Sequence, residues 1–232
     1  MNATRRSFGT KEDLALALAE AIVGHLNDGI EARGQAVLAV SGGSTPGRFF
    51  QVLGRSRAVD WSKVIVTLVD ERWVSEISPR SNAGLVNEKL LQGPAAVARF
   101  VPLWSGGDEP TDAAIARTNM AINALPRPFD AVILGMGNDG HTASFFPGGD
   151  NLAAALTGEG PAIAIRAPGA GEPRVTLVLR RLLDASGLYL HIEGEEKLAT
   201  LDKASGDGPI EDMPIRAVLR QTQTPLNIFW SP

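Results

Sequence analysis

The stretch Ala36-Val-Leu-Ala-Val-Ser-Gly-Gly-Ser-Thr-Pro-Gly47 decides the fold class. Its first five residues are a short apolar run of the kind that forms a buried strand, and the glycines after them predict a turn that opens a helix. Pro46 suits the first position of that helix, because a proline there loses no hydrogen bond. The stretch therefore predicts the strand, turn and helix start of an α/β protein.

The same order of elements recurs along the chain. Apolar strands are predicted at residues 36–40, 64–69, 100–103 and 130–134, with further strands at 175–179, 188–192 and 226–229. Helices are predicted at residues 81–91, 112–125, 195–204 and 214–219. Four apolar strands separated by helical stretches favour a parallel sheet that is covered by helices on both faces.

Length and composition describe an ordinary folded chain without a basic surface. The 232 residues suit one large domain, so we predict a single domain over residues 1–232. Hydrophobic residues make up 44% and charged residues 21%, which disfavours disorder. The net charge of −4 predicts no nucleic-acid or membrane partner. The chain contains no cysteine, which excludes disulfides and thiol nucleophiles.

The residues before the first strand need a separate interpretation. The segment Thr4-Arg-Arg-Ser-Phe8 resembles a twin-arginine export signal, but charged residues interrupt the apolar region that such a signal requires. We therefore predict a cytoplasmic protein. Thr10, with Asp13 three residues later, is instead predicted to cap an amphipathic helix whose apolar residues keep helical spacing.

Three polar loops follow predicted strands, at the edge where open parallel sheets bind ligands. In the first, Gly42, Gly43, Ser44 and Thr45 combine small residues with hydroxyl groups. Such a turn presents free backbone N–H groups to an anion. The glycine spacing does not match a dinucleotide fingerprint, and the lysine of a P-loop is missing. A plain turn and an anion-binding turn both remain open.

The second loop places Asp70, Glu71 and Arg72 directly after an apolar run. A guanidinium can hold a phosphate through two parallel hydrogen bonds, so Arg72 is the candidate anion ligand of this loop. The alternative is a solvated strand end with internal ion pairs.

The third loop, residues 135–142, contains three glycines together with Asp139 and His141. An imidazole can take a proton from water near neutral pH, and a neighbouring carboxylate can orient it. The alternative is a histidine that only caps a helix start. His25 and His191 are predicted to be structural, because one lies in a helix and the other in a strand. No further ligand cluster is visible, so we predict no metal.

These segments resemble the 6-phosphogluconolactonase family in order and spacing. The matching segments are residues 41–46, 69–74, 81–82 and 135–144, with weaker likeness at 174–177 and 194–197. The resemblance implies a three-layer α/β/α fold with a mostly parallel, doubly wound sheet, similar to glucosamine-6-phosphate deaminase and ribose-5-phosphate isomerase. It also implies hydrolysis of 6-phospho-D-glucono-1,5-lactone, the second step of the oxidative pentose phosphate pathway, without metal or organic cofactor.

The resemblance further implies roles for individual residues. His141 corresponds to the general base that activates water, with Asp139 beside it. Ser44, Arg72 and Lys197 correspond to ligands of the phosphate and the sugar. The whole substrate-binding set comprises Gly42, Gly43, Ser44, Thr45, Asp70, Arg72, Asn82, Gly137, Arg174 and Lys197. The expected partner is a small-molecule substrate, and the expected state is a monomer or a homodimer.

Two alternatives remain. An amino-sugar-phosphate deaminase of the same fold carries an acidic residue where this chain has Phe146, and a phenyl ring cannot pair with an imidazolium. The other alternative is a sugar-phosphate sensor without catalytic activity. That function would need an attached DNA-binding segment, and the sequence shows neither a helix-turn-helix nor a basic patch.

Overall fold

The computed structural model describes residues 2–232, which form two sheets and eight α-helices. The strands are β1 (Ala3–Ser7), β2 (Ala36–Val40), β3 (Val64–Leu68), β4 (Asp70–Arg72), β5 (Arg99–Val101), β6 (Phe129–Leu134), β7 (Ala162–Ile165), β8 (Arg174–Leu177), β9 (Ala185–Glu193) and β10 (Leu226–Ser231). The helices are α1 (Lys11–Arg33), α2 (Gly47–Gly54), α3 (Asn82–Lys89), α4 (Asp112–Asn123), α5 (Leu152–Thr157), α6 (Leu179–Leu183), α7 (Glu195–Ser205) and α8 (Ile215–Arg220).

The larger sheet has seven strands in the order β1-β10-β9-β6-β2-β3-β5, and every neighbouring pair is parallel. All five residues of β2 and all five of β3 are buried, as expected for strands covered on both faces. Val40 is in register with Leu68 of β3 and with Ile133 of β6. The loops that follow these strands therefore emerge at one edge of the sheet. The predicted α/β fold with a mostly parallel sheet is confirmed.

Helix α1 begins where the sequence predicts. The Thr10 side chain accepts a hydrogen bond from the backbone N–H of Asp13 at 3.1 Å. One face of the helix buries Leu14, Leu18 and Ile22, because apolar side chains three and four residues apart share a side of a helix. No helix in residues 2–232 has both the length and the apolar character needed to cross a membrane.

The prediction that Asp70–Arg72 form a loop is wrong, because these residues form a strand. Asp70–Arg72 form β4, which pairs antiparallel with β8 in a second sheet of order β4-β8-β7. A three-residue strand with three charged side chains has no apolar pattern, so only its backbone partners reveal it. The strand predicted at 175–179 ends at Leu177, and Leu179 begins α6.

Two further differences lie near the edges of elements. Strand β1 was not predicted, because its exposed side chains show no alternation of apolar and polar residues. It is held by parallel pairing with β10 and by the Arg6 guanidinium, which lies 4.9 Å from the centre of the Phe229 ring. Pro46 is the N-cap of α2 rather than its first residue, and its carbonyl accepts the first helical hydrogen bond, from Phe50.

Candidate active site

One cavity lies at the carboxyl edge of the large sheet, over the ends of β2, β6 and β9. Its wall brings together the predicted substrate-binding residues and His141. The predicted site residues in the wall are Gly42, Gly43, Ser44, Thr45, Asp70, Arg72, Asn82, Gly137, His141, Arg174 and Lys197. Asp139 does not line the cavity but contacts it through His141. The structure therefore gathers the predicted set in one place, while the role of each residue stays a prediction.

His141 and Asp139 form a close pair. His141 Nδ1 lies 2.6 Å from Asp139 Oδ1, and the same oxygen accepts the backbone N–H of His141 at 3.1 Å. Burial alone would raise the pKa of the Asp139 carboxyl, but the hydrogen bond and charge of His141 outweigh it and hold that pKa below its ordinary value. The carboxylate can therefore orient the ring and stabilise an imidazolium.

The loop that carries this pair is fixed by backbone hydrogen bonds. Gly137 N–H donates to the His141 carbonyl at 2.9 Å, and Ile215 N–H donates to the Gly140 carbonyl at 2.8 Å. Gly140 has a φ of +81°, which glycine adopts without steric cost. The Thr142 hydroxyl donates to the Gly135 carbonyl at 2.8 Å. The histidine is thus held on a closed loop directly after β6.

Gly137 allows the close approach of this pair to its own backbone. A Cβ atom at position 137 would lie 2.1 Å from His141 Nδ1 and 2.5 Å from Asp139 Oδ1. We expect Gly137→Ala to displace the pair and lower kcat by about 10²-fold, the effect of a misplacement near 1 Å. Steady-state hydrolysis assays would measure it. Gly24→Ala is the control, because a Cβ at that position has open space. Unchanged turnover in Gly137→Ala would contradict this role.

Phe146 packs against the His141 imidazole and lies near the Arg174 guanidinium. Its ring centre lies 4.4 Å from that of His141, and the Arg174 guanidinium carbon lies 5.5 Å from it. The phenyl ring therefore fills the space beside the imidazole. No carboxylate stands at this position, as the sequence indicates.

Arg72 and Arg174 occupy directly opposed positions on β4 and β8. Like charges in opposed positions repel each other. Arg174 is only 7% exposed, and burial lowers its pKa from the ordinary value. Its Nη2 donates to the Ala170 carbonyl at 2.7 Å, whereas Arg72 donates to the Arg80 carbonyl. Two arginines held together in a cavity wall by neutral carbonyls provide positive charge for an anion.

The acidic residues of β4 are buried rather than solvated, so the alternative of a solvated strand end does not hold. Glu71 is fully buried and accepts hydrogen bonds from the backbone N–H groups of Arg72, Asn82 and Ala83 and from the Ser81 hydroxyl. Burial raises the pKa of Glu71, although these hydrogen bonds act in the opposite direction. The carboxylate thereby ties β4 to the start of α3 and positions the backbone of two cavity residues.

Asp70 is connected to the loop of the histidine. Its Oδ2 accepts a hydrogen bond from the Ser144 hydroxyl at 2.6 Å, and its backbone carbonyl accepts one from Asn82 Nδ2 at 2.9 Å. The side chain of Asn82 also lies against Gly42, where a Cβ would approach its Oδ1 to 1.9 Å. Gly42 is therefore required for this contact, which joins the first loop, β4 and the start of α3 in one continuous wall.

Lys197 extends from α7 into the cavity, where its Nζ donates to the Met136 carbonyl. Burial lowers the pKa of Lys197, while the charges of Asp139 and Glu196 act to raise it. Lys197 therefore lies on the side of the His141 and Asp139 pair, whereas Arg72 lies beside Arg174. The three members of the predicted phosphate clamp approach the cavity from different elements.

His191 and Met136 line the cavity although neither was predicted as a site residue. Phe146 was predicted only as the position where a deaminase carries an acidic residue. His191 lies within β9 as predicted and is 3% exposed, yet it also lines the cavity. A histidine within an apolar strand looks the same in the sequence whether or not it lines a cavity, so this contact could not be predicted. His25 instead bonds the Tyr189 hydroxyl at 3.0 Å on the α1 side of the sheet.

No group of three or more metal-ligating side chains occurs within residues 2–232. We expect exhaustive treatment with EDTA to leave the catalytic rate unchanged, because the single His141 and Asp139 pair offers too few ligands for a catalytic metal. A rate assay before and after chelation would measure this. Loss of the rate on chelation, with recovery on adding one metal, would contradict the expectation.

The fold and the site define a class of protein. A parallel α/β sheet carries a cavity with clustered positive charge and a carboxylate-bound histidine at its carboxyl edge, which is the arrangement of an enzyme for small anionic substrates.

Comparison with known proteins specifies the family. Residues 9–230 match the family described as glucosamine-6-phosphate isomerases/6-phosphogluconolactonase, and the chain belongs to that family. A 6-phosphogluconolactonase from Rhizobium meliloti is 50% identical over 234 residues, covering 100% of both chains. The crystal structure of a 6-phosphogluconolactonase from Shewanella baltica superposes with a TM-score of 0.96 at 42% identity, covering 99% of this chain and 98% of that one.

A protein of lower sequence identity shares the fold. A monomeric glucosamine-6-phosphate deaminase structure has a TM-score of 0.79 at 18% identity, covering 98% of this chain and 97% of that one. The predicted similarity of fold to glucosamine-6-phosphate deaminase is confirmed.

Proposed function

We propose that this protein is a 6-phosphogluconolactonase that hydrolyses 6-phospho-D-glucono-1,5-lactone to 6-phospho-D-gluconate, the second step of the oxidative pentose phosphate pathway. One observation carries the proposal. A histidine oriented by a carboxylate faces the same cavity as Arg72, Arg174 and Lys197. A relative that is 50% identical and is covered over its full length carries the name of this activity.

His141 is the general base of the proposed reaction. The carboxylate of Asp139 is hydrogen-bonded to Nδ1 of the His141 ring. The other ring nitrogen, Nε2, is therefore left to accept a proton from the attacking water. The water oxygen bonds to the lactone carbonyl carbon, and the carbonyl oxygen gains negative charge. The imidazolium then protonates the ring oxygen as the carbon–oxygen bond breaks, which restores the neutral histidine. Asp139 stabilises the imidazolium in between.

The phosphate is held away from the reacting carbonyl by the remaining cavity residues. Ser44, Arg72 and Lys197 form the proposed clamp, and Arg174 stands opposite Arg72. The turn of Gly42, Gly43 and Thr45 supplies backbone N–H groups to the same anion. Binding at a distance from the carbonyl fixes the distance between His141 and the scissile bond.

The two alternatives are less favoured. A deaminase needs an acidic partner for the histidine, and Phe146 packs against the His141 ring at that position. A sensor without catalysis has no need of a carboxylate-oriented imidazole.

Proton release distinguishes these functions. Fresh 6-phosphogluconolactone added to the purified protein is expected to release protons faster than the spontaneous hydrolysis does, because the product is a carboxylate. A pH-stat trace equal to the protein-free blank would exclude the lactonase and favour a sensor.

We further propose that residues 1–232 form one domain, since the buried apolar side chains from α1 to β10 form a single cluster. The interrupted signal-like segment at Thr4–Phe8 supports a cytoplasmic location. The partner is the small-molecule substrate, and a monomer or a homodimer is the proposed state. The reaction as proposed uses no cofactor.

A further inference from the structure

Two buried polar atoms without a hydrogen-bond partner belong to residues of the cavity wall. Four such side-chain atoms occur within residues 2–232, namely Arg174 Nε, Arg181 Nη1, His191 Nδ1 and Ser231 Oγ. Of these residues, only Arg174 and His191 line the cavity. Buried polar atoms are normally paired, so an unpaired one in a cavity wall indicates a contact for a ligand. Arg174 already belongs to the predicted site, whereas His191 does not.

The orientation of the His191 ring is fixed by a chain of charges. His191 Nε2 lies 3.1 Å from Glu193 Oε1, and Glu193 Oε2 lies 3.3 Å from Lys11 Nζ. Burial alone would raise the pKa of Glu193, but the contacts with His191 and Lys11 outweigh it and lower that pKa. An ionised carboxylate only accepts hydrogen bonds, so the imidazole carries its proton on Nε2. In the neutral ring, Nδ1 then has a free lone pair.

The ring lies in the same cavity wall as the turn that is expected to hold phosphate. It packs edge-on against Phe49, with ring centres 6.0 Å apart. Phe49 belongs to α2, which begins directly after the turn of residues 42–45. His191 and this turn line the same cavity. A phosphate group bound at this turn would therefore lie in the cavity that His191 lines.

The charges around the ring favour an anion that carries two negative charges. Arg72 from β4, Arg174 from β8 and Lys197 from α7 face the cavity, and Asp70 from β4 is an acidic side chain in the same wall. The charges of Glu193 and Lys11, on the Nε2 side, form a pair. Phe49 from α2 contributes no charge. A phosphate monoester loses its second proton near pH 6, so the dianion dominates above neutral pH. Neither the dianion nor the Nδ1 lone pair carries a proton, so a hydrogen bond between them requires one proton to be taken up from solution.

We propose that His191 is a phosphate-binding residue whose Nδ1 shares one proton with an oxygen of the bound phosphate group. The inference deepens the proposed function, because it rests on the phosphate lying at the turn of residues 42–45. When the dianion binds at pH 8, one proton comes from the buffer and stays between the phosphate oxygen and Nδ1. The buffer acid loses this proton and the phosphate–imidazole pair gains it, while no bond between heavy atoms forms or breaks.

Calorimetric titration with inorganic phosphate at pH 8 tests the proposal. Titrations in two buffers of different ionisation enthalpy give the number of protons taken up. The wild-type protein is expected to take up about one proton more than His191→Gln, and His191→Gln is expected to bind phosphate about 10-fold more weakly, the effect of one charge-assisted hydrogen bond. His25→Gln is the control, because His25 lies outside the cavity wall and should behave like the wild type.

A second measurement uses the wild-type protein alone, so it does not depend on the variant folding. Nitrogen-15 spectra of the histidine rings should show Nδ1 of His191 becoming protonated as phosphate saturates the protein. Equal affinity and proton uptake in His191→Gln and the wild type, or no change at His191 on saturation, would overturn the proposal. Both readouts are independent of turnover. Failure of the lactonase assay with a positive result here would reject the reaction and leave this phosphate contact in place.

Discussion

Replacing His141 with alanine is expected to lower kcat by about 10²–10⁴, the range attributed to a positioned acid–base group. The structure supports this size of effect, because the imidazole that contacts Asp139 within 2.6 Å lies in the cavity wall. The loop should keep its shape, since the hydrogen bond from Gly137 is made to the backbone carbonyl of residue 141. Steady-state kinetics on fresh lactone, corrected for spontaneous hydrolysis, would measure the loss.

His25→Ala is the matched control for this variant. His25 bonds Tyr189 and does not line the cavity, so its loss should leave kcat close to the wild-type value. Thermal unfolding of both variants verifies that they are folded. If folded His141→Ala keeps more than half of the wild-type kcat, the general-base role must be abandoned.

Removing the phosphate from the substrate is expected to lower kcat/KM by at least about 10³. The phosphate takes no part in bond making, but its binding fixes the lactone carbonyl relative to His141. Three charge-assisted contacts at roughly 1.5–3 kcal/mol each, before losses, suffice for this ratio. Parallel assays of 6-phosphogluconolactone and glucono-1,5-lactone would give it. Inorganic phosphate should inhibit competitively.

Arg72→Lys locates this effect within the cavity. A lysine keeps the charge but cannot form two parallel hydrogen bonds to phosphate, so kcat/KM should fall mainly for the phosphorylated lactone. Arg127→Lys is the control, because Arg127 pairs with Asp184 and lies outside the cavity wall. An equal loss on both substrates would mean that Arg72 acts on the carbonyl or on the protein's own structure. The assignment to phosphate would then be withdrawn.

The sequence alone predicts the parallel sheet and the edge that carries the site. The strands β2, β3 and β6 are mostly apolar and are followed closely by glycine or charge, and that pattern is local in the chain. Because the carboxyl ends of parallel strands share one edge, the loops after them were expected to meet. Apolar residues in such a run indicate buried positions, so the local sequence is sufficient to predict these strands.

Elements that lack such an apolar pattern could not be predicted from the sequence. Strands β1 and β4 present mostly charged or exposed side chains, and backbone pairing with distant strands alone defines them. The local sequence of Asp70-Glu71-Arg72 is equally compatible with a polar loop. Burial of Glu71 depends on donors from Ala83 and its neighbours, which only the folded chain brings near.

The sequence by itself determined the fold class, the edge of the sheet and the pairing of Asp139 with His141, because these depend on residues close together in the chain. Tertiary structure decided that Arg72 stands opposite Arg174, that Lys197 lies on the side of Asp139, and that His191, with an unpaired Nδ1, lines the cavity. These contacts join elements that are distant in the chain. Their energies come from burial and charge in a space that exists only once the sheets and helices have packed.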